Sequence, residues 1–92
     1  MTYEFEIIYL RWHHNRGDFI FAKHLGIDHE LTIPEGSVFG DIPVYDYKEM
    51  RGLENGEQRD VFVFRPLSGE FLPKDYFSVG QRVVLTIKNI LT

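Results

Sequence analysis

Arg59-Asp60-Val61-Phe62-Val63-Phe64-Arg65-Pro66-Leu67 sets four consecutive large apolar residues between charges. Successive residues of a strand point to opposite faces, so Val61 and Val63 line one side and Phe62 and Phe64 the other. A strand apolar on both sides needs cover on both. The run 3–12 makes the same demand: Tyr3, Phe5, Ile7 and Tyr9 share one face, while Glu4 and Glu6 open the other before Ile8, Leu10 and Trp12 turn it apolar. Either Ile8, Leu10 and Trp12 or Tyr9 and its neighbours must then lie outside any single interior. Closing one sheet on itself supplies an interior within 92 residues without a second layer. The expected fold is therefore all-β, a small closed or nearly closed six-stranded antiparallel barrel, one domain over residues 1–92. A five-stranded oligonucleotide-binding barrel is the alternative, weakened by the lack of an amphipathic helix.

Working outward, the first strand breaks at His13-His14-Asn15-Arg16-Gly17-Asp18, where a loop Asn15-Arg16-Gly17 with Gly17 at positive φ returns the chain into a strand over 19–25. Residues 30–34 alternate Leu31 and Ile33 with Thr32 and predict a short strand. Pro34-Glu35-Gly36-Ser37 follows as a turn with the proline at its second position. Ile42, Val44, Tyr45 and Tyr47 predict a strand that Pro43 places at an edge or at a bulge. Asn55-Gly56 is a hairpin signal, and a two-residue turn there sets Arg51 opposite Asp60, Asp46 opposite Arg65 and Tyr47 opposite Phe64. The segment 66–79 is a connection whose Phe71, Tyr76 and Phe77 tuck it against one end of the core. The last strand spans 81–91. Expected core residues are Phe5, Ile7, Phe19, Phe21, Leu31, Ile33, Ile42, Val44, Phe62, Phe64, Val83, Leu85 and Ile87. The stretches Asp18-Phe19-Ile20-Phe21-Ala22-Lys23 and Asp60-Val61-Phe62-Val63-Phe64-Arg65 echo each other. They read as two central strands, each buried on both faces, rather than a duplication.

Composition narrows the function. Cysteine is absent, which removes disulfide scaffolds, thiol catalysis and cysteine-based zinc sites. The net charge of −4 repels polyphosphate. No apolar run reaches the length of a membrane helix, and the acidic start Met1-Thr2-Tyr3-Glu4 is unlike a signal peptide, so a soluble, cytoplasmic protein is expected. Gly36-Ser37-Val38-Phe39-Gly40 lacks the lysine of a phosphate-binding loop. Ser37, Ser68 and Ser78 lack a nucleophile-elbow setting, and Asp18, Asp41, Asp46 and Asp60 are scattered, so no enzyme is expected. The tripeptide Arg16-Gly17-Asp18 is explained by its turn. His13 and His24 could face each other across the first hairpin with His29 nearby. No chelating spacing supports them, and neither metal nor other cofactor is expected.

What remains is aromatic content. At 15% aromatic residues, the chain carries more ring surface than so small a core hides. Contiguous exposed apolar surface marks an interface. Tyr9, Arg11, Trp12, His13, Arg16 and Lys23 are the candidate interface, facing a protein partner or a second copy of the chain. The alternative is single-stranded nucleic acid stacked on the Trp12 region, with the cations tracking phosphate.

Phe77-Ser78-Val79-Gly80-Gln81-Arg82-Val83-Val84-Leu85 resembles the phrase that opens a closing strand in the β-barrel domains of the elongation factor Tu type. The run from Ile33 to Ile42 is similar to the glycine-punctuated connections of those domains. The resemblance covers residues 18–91 and implies a barrel that acts as an accessory module. It brings no GTPase motif and no functional residue.

Overall fold

The computed structural model describes residues 1–13, 17–26, 31–49, 60–69 and 71–88. Six strands, β1 (Thr2–His13), β2 (Gly17–His24), β3 (Ser37–Phe39), β4 (Ile42–Asp46), β5 (Val61–Pro66) and β6 (Arg82–Thr86), form an antiparallel barrel. It closes in the order β1-β2-β5-β4-β3-β6, with β1 hydrogen-bonded to β6. Closure leaves no open sheet edge, which is how so short a chain hides strands apolar on both faces.

The interior holds Phe5, Ile7, Ile20, Ala22, Phe39, Val44, Phe62, Phe64, Val83 and Leu85, with Ile33 and Phe77 sealing it. Phe5 meets Phe62 and Phe64 edge to face at 5.4 and 5.3 Å. Large faces small across the β2–β5 ladder, where Ala22 lies opposite Phe62 and Ile20 opposite Phe64. That alternation fills a narrow barrel without voids.

Phe19 and Phe21 are buried core residues, as the sequence predicts, but they lie outside the barrel interior. With Val61 and Val63 they form a second cluster on the outer face of β2 and β5, with Ile8 and Tyr47 packed against it. The reason is Lys23, which shares a face with Phe19 and Phe21 and must reach water. Arg65 marks the outer face of β5 in the same way. Its guanidinium lies 4.9 Å from the ring centre of Phe19, 5.4 Å from Tyr47 and 5.9 Å from Tyr45. The echo between β2 and β5 thus reports two adjacent strands with the same inside-outside phase, each buried on both faces.

Three local expectations shift. The β4–β5 register sets Tyr45 opposite Arg65 and Asp46 opposite Phe64, one residue from the predicted pairing. A one-residue slip exchanges faces, so Tyr45 and Tyr47, not Asp46, share the outside with Arg65; Arg51, Asn55 and Gly56 lie outside the described residues. Residues 31–34 are not a strand; the third strand is β3, although Ile33 still packs inward. In the turn before it, Pro34 holds the first position, its carbonyl accepting the Ser37 N–H at 3.1 Å, and Gly36 at φ +91° takes the left-handed third position. Gly17 has the expected positive φ, +88°, but it lies within β2 opposite His13.

Strand β1 resolves its two-sided pattern by a bulge between Ile7 and Tyr9. The Ile7 carbonyl accepts the Gly80 N–H at 2.7 Å and its N–H donates to Gln81 at 2.9 Å. The extra residue resets the alternation. Before it Tyr3, Phe5 and Ile7 face inward; beyond it Leu10 packs on the core and Tyr9 faces out. Neither whole face of the predicted strand lies outside.

Candidate functional site

Beyond the bulge, β1 carries Trp12 to the rim of the barrel, opposite Asp18. The connection 67–77 from β5 is laid across this rim by a series of fixed contacts. Gly69, at φ +73°, turns the chain and donates its N–H to the Pro66 carbonyl at 3.0 Å. Asp18 then accepts the Leu72 N–H at 2.6 Å, a short charge-assisted bond across fifty-four positions. Tyr76 donates its N–H to Pro73 at 3.1 Å and its hydroxyl to the Asp41 carboxylate. Asp75 takes the left-handed conformation at φ +64° in this turn. Phe77 drops into the core, 5.6 Å from Phe39. A loop pinned at Leu72, Tyr76 and Phe77 is a preformed surface.

That surface is apolar and open. Trp12 is 63% exposed and its ring lies 5.8 Å from that of Phe71, itself 47% exposed. Two hollows flank the pair. One, of about 480 Å³, is lined by Ile42, Pro43, Pro66, Leu67, Phe71 and Leu72 among others. The second, of about 320 Å³, runs from Trp12 and Leu10 to Phe77. They share a wall made of Leu72, Pro73 and Tyr76. Among the described residues, the charged side chains lining the hollows are Asp18, Lys74 and Asp75, with Asp41 held by Tyr76. The hydrogen bond to Asp41, then burial, then the charge of Asp41 push the Tyr76 hydroxyl above its usual pKa of 10.0, because a phenolate there would face a carboxylate.

The predicted site residues divide between regions. Tyr9 and Arg11 stand on the outer face, with Tyr9 edge-on to Phe21 at 5.3 Å, whereas Trp12 shares the side of Leu10 and lines the rim. Lys23 lies towards the other end of β2, exposed and 3.8 Å from Asp60, so it does not join the rim. Arg16 and the side chain of His13 lie outside the described residues, as does His29. His24 does not face His13: it pairs with Phe5 at the far end of the barrel and packs against Tyr3, Phe5 and Phe62. Among the described residues no three metal-ligating side chains converge. Ser37 is buried, donating its hydroxyl to Pro34 at 2.7 Å and accepting the Lys88 N–H at 3.0 Å, which ties two chain segments together.

The reading from sequence missed Leu67, Leu72 and Pro73, and placed Phe71 against the core, where instead it stays out beside Trp12. Loop residues follow no period. The available signal was composition: leucines, prolines and aromatics crowd a connection that needs only polar residues. No helix among the described residues is long and apolar enough to cross a membrane.

No protein-family model, curated protein or solved structure matches this chain.

Proposed function

We propose that this barrel is a non-enzymatic binding or accessory module that acts through a protein partner or a second copy of itself, docked on the rim around Trp12. One observation carries the reading: an exposed tryptophan in tilted contact with an exposed phenylalanine, between two apolar hollows, beside a loop held in place by hydrogen bonds to Asp18 and Asp41. Anchors of that type, set in preformed pockets, supply most of the energy of protein interfaces. The resemblance to elongation-factor barrels accords with an accessory role. Absence of cysteine accords with a reducing, cytoplasmic setting. No cofactor is needed.

A second reading has its own support, since Trp12, Phe71 and the neighbouring Arg11 are the elements of a base-stacking surface. The Asp18 and Asp75 carboxylates lining the hollows and the net charge of −4 favour the protein partner. Trp12 is the single tryptophan, so its emission reports on the rim alone. Peptides selected by display on the protein are expected to shift that emission to the blue, and to lose binding to a Trp12→Ala variant. Light scattering across a concentration series tests self-association. Salt-dependent binding of single-stranded DNA or RNA at Trp12, with no peptide selected and a strict monomer, would replace this reading by the nucleic-acid one.

A further inference from the structure

We propose that the rim binds an extended proline-rich peptide segment carrying a flanking Arg or Lys. The inference rests on the rim being a protein-binding surface and names the chemistry of its occupant. Four observations converge on it.

The wall of the paired hollows is built of flat, rigid groups: Trp12, Phe71 and Tyr76 rings beside Pro43, Pro66 and Pro73. Such surfaces match the pyrrolidine rings of a polyproline II helix, whose faces are equally flat. The hollows lie side by side across the wall of Leu72, Pro73 and Tyr76. A polyproline II segment has three residues per turn and presents side chains at regular intervals, so successive turns can enter adjacent hollows. Two polar groups of this loop are already engaged, the Leu72 N–H on Asp18 and the Tyr76 hydroxyl on Asp41. A polyproline II ligand asks little of them, since it makes no internal hydrogen bonds and keeps its backbone in water.

Charge selects the flank. Among the described residues lining the hollows, Asp18 and Asp75 outnumber Lys74, and a cation on the ligand meets that excess. The same excess argues against a second copy as occupant, because it would bring its own carboxylates to the contact. A stiff, preordered ligand meeting a pinned loop loses little freedom on binding, which suits a site this small.

The probe is a short peptide of Pro-Pro-Leu repeats with one terminal Arg, titrated into the protein while Trp12 emission is followed. Saturable binding with a blue shift is expected. Labelled peptide followed by anisotropy is expected to bind Trp12→Ala at least about thirtyfold more weakly, the loss of one aromatic anchor. Asp75→Asn keeps a residue that tolerates positive φ and removes a charge. Binding is expected to fall about two- to fivefold for the Arg peptide, the range of an exposed charge pair, and not at all for a peptide ending in uncharged Gln. Circular dichroism and thermal melting of both variants verify the fold.

Equal binding of a peptide with every proline replaced by alanine overturns the proposal. So does concentration-dependent burial of Trp12 in a dimer. If display-selected peptides lacking proline shift Trp12 while the Pro-Pro-Leu probe does not, the proposal fails and the protein-binding rim stands. If no peptide binds and single-stranded oligonucleotides do, both fail together.

Discussion

The outer face of β2 and β5 and the rim around Trp12 are both apolar surfaces outside the barrel wall, and they meet water differently. On the first, Phe19 and Phe21 are 2% and 4% exposed, roofed in part by Tyr47, Ile8 and the Arg65 guanidinium. On the second, Trp12 and Phe71 touch each other and face solvent. In sequence the two are alike: aromatic residues near cations, on or beside strands with two apolar faces. Apolar content therefore marks a need for cover, while the placement of the remaining chain decides where that need is met. The outer face has become a second core, and the rim is the apolar surface proposed above to receive another molecule.

The comparison breaks most sharply in stability. Phe21→Ala is expected to destabilise by about 3–5 kcal/mol, the range for removing a buried phenylalanine, whereas Trp12→Ala should stay within about 0.5 kcal/mol of the parent, as exposed positions do. Urea unfolding of the two variants measures both, and equal losses would erase the distinction drawn between the surfaces. A smaller effect tests whether the rim is a built surface. Asp18→Ala leaves the Leu72 N–H without its carboxylate and is expected to cost about 1.5–3 kcal/mol, the range for a hydrogen bond to a charged group. Hydrogen exchange should show the loss confined to faster exchange at Leu72 and its neighbours, with the outer face of β2 and β5 unchanged. Smaller again is the expected effect of Arg65→Met, about 0.5–2 kcal/mol from lost contact with the three rings. It should lower the urea midpoint and leave Trp12 emission unaltered.

The smallest effect concerns pH. The folded pKa of Tyr76 lies above its unfolded value of 10.0. The native state therefore holds the phenolic proton longer than the unfolded chain, and the stability this confers is complete below pH about 10 and lost as pH rises through the folded value. Ultraviolet titration should show one tyrosine ionising late, and Tyr76→Phe should remove that step. A late step that survives in the variant would assign the shift to another tyrosine.

Much of this architecture was legible because it rests on period and on closure. Val61-Phe62-Val63-Phe64 demanded cover on both faces, and Gly17 stood where the backbone turns left-handed. Period alone does not say which core a buried face joins. Phe19 and Phe21 read as core and are buried, and Lys23 in step with them puts that burial on the outer face. The bulge at Ile7 and Tyr9 left no mark in residue type, since it is fixed by hydrogen bonds to Gly80 and Gln81 far along the chain. The candidate site was half legible. Trp12 stood out by its neighbours, whereas Leu72 and Pro73 joined it through the Asp18 contact, which no local pattern encodes.

The ring order has a consequence for how the molecule comes into being. β1 pairs on one side with β2, its neighbour in sequence, and on the other with β6, at the far end of the described chain. The first hairpin can assemble alone, but its free edge has no mate until every intervening strand has been made and set in register. Assembly is therefore dominated by distant pairings, which places it among slow-folding topologies. Until β6 arrives, the edge of β1 offers unpaired backbone groups and the side chains of Phe5 and Ile7 to any neighbouring strand. In this barrel the last seam to close is also the one that guards against aggregation during synthesis.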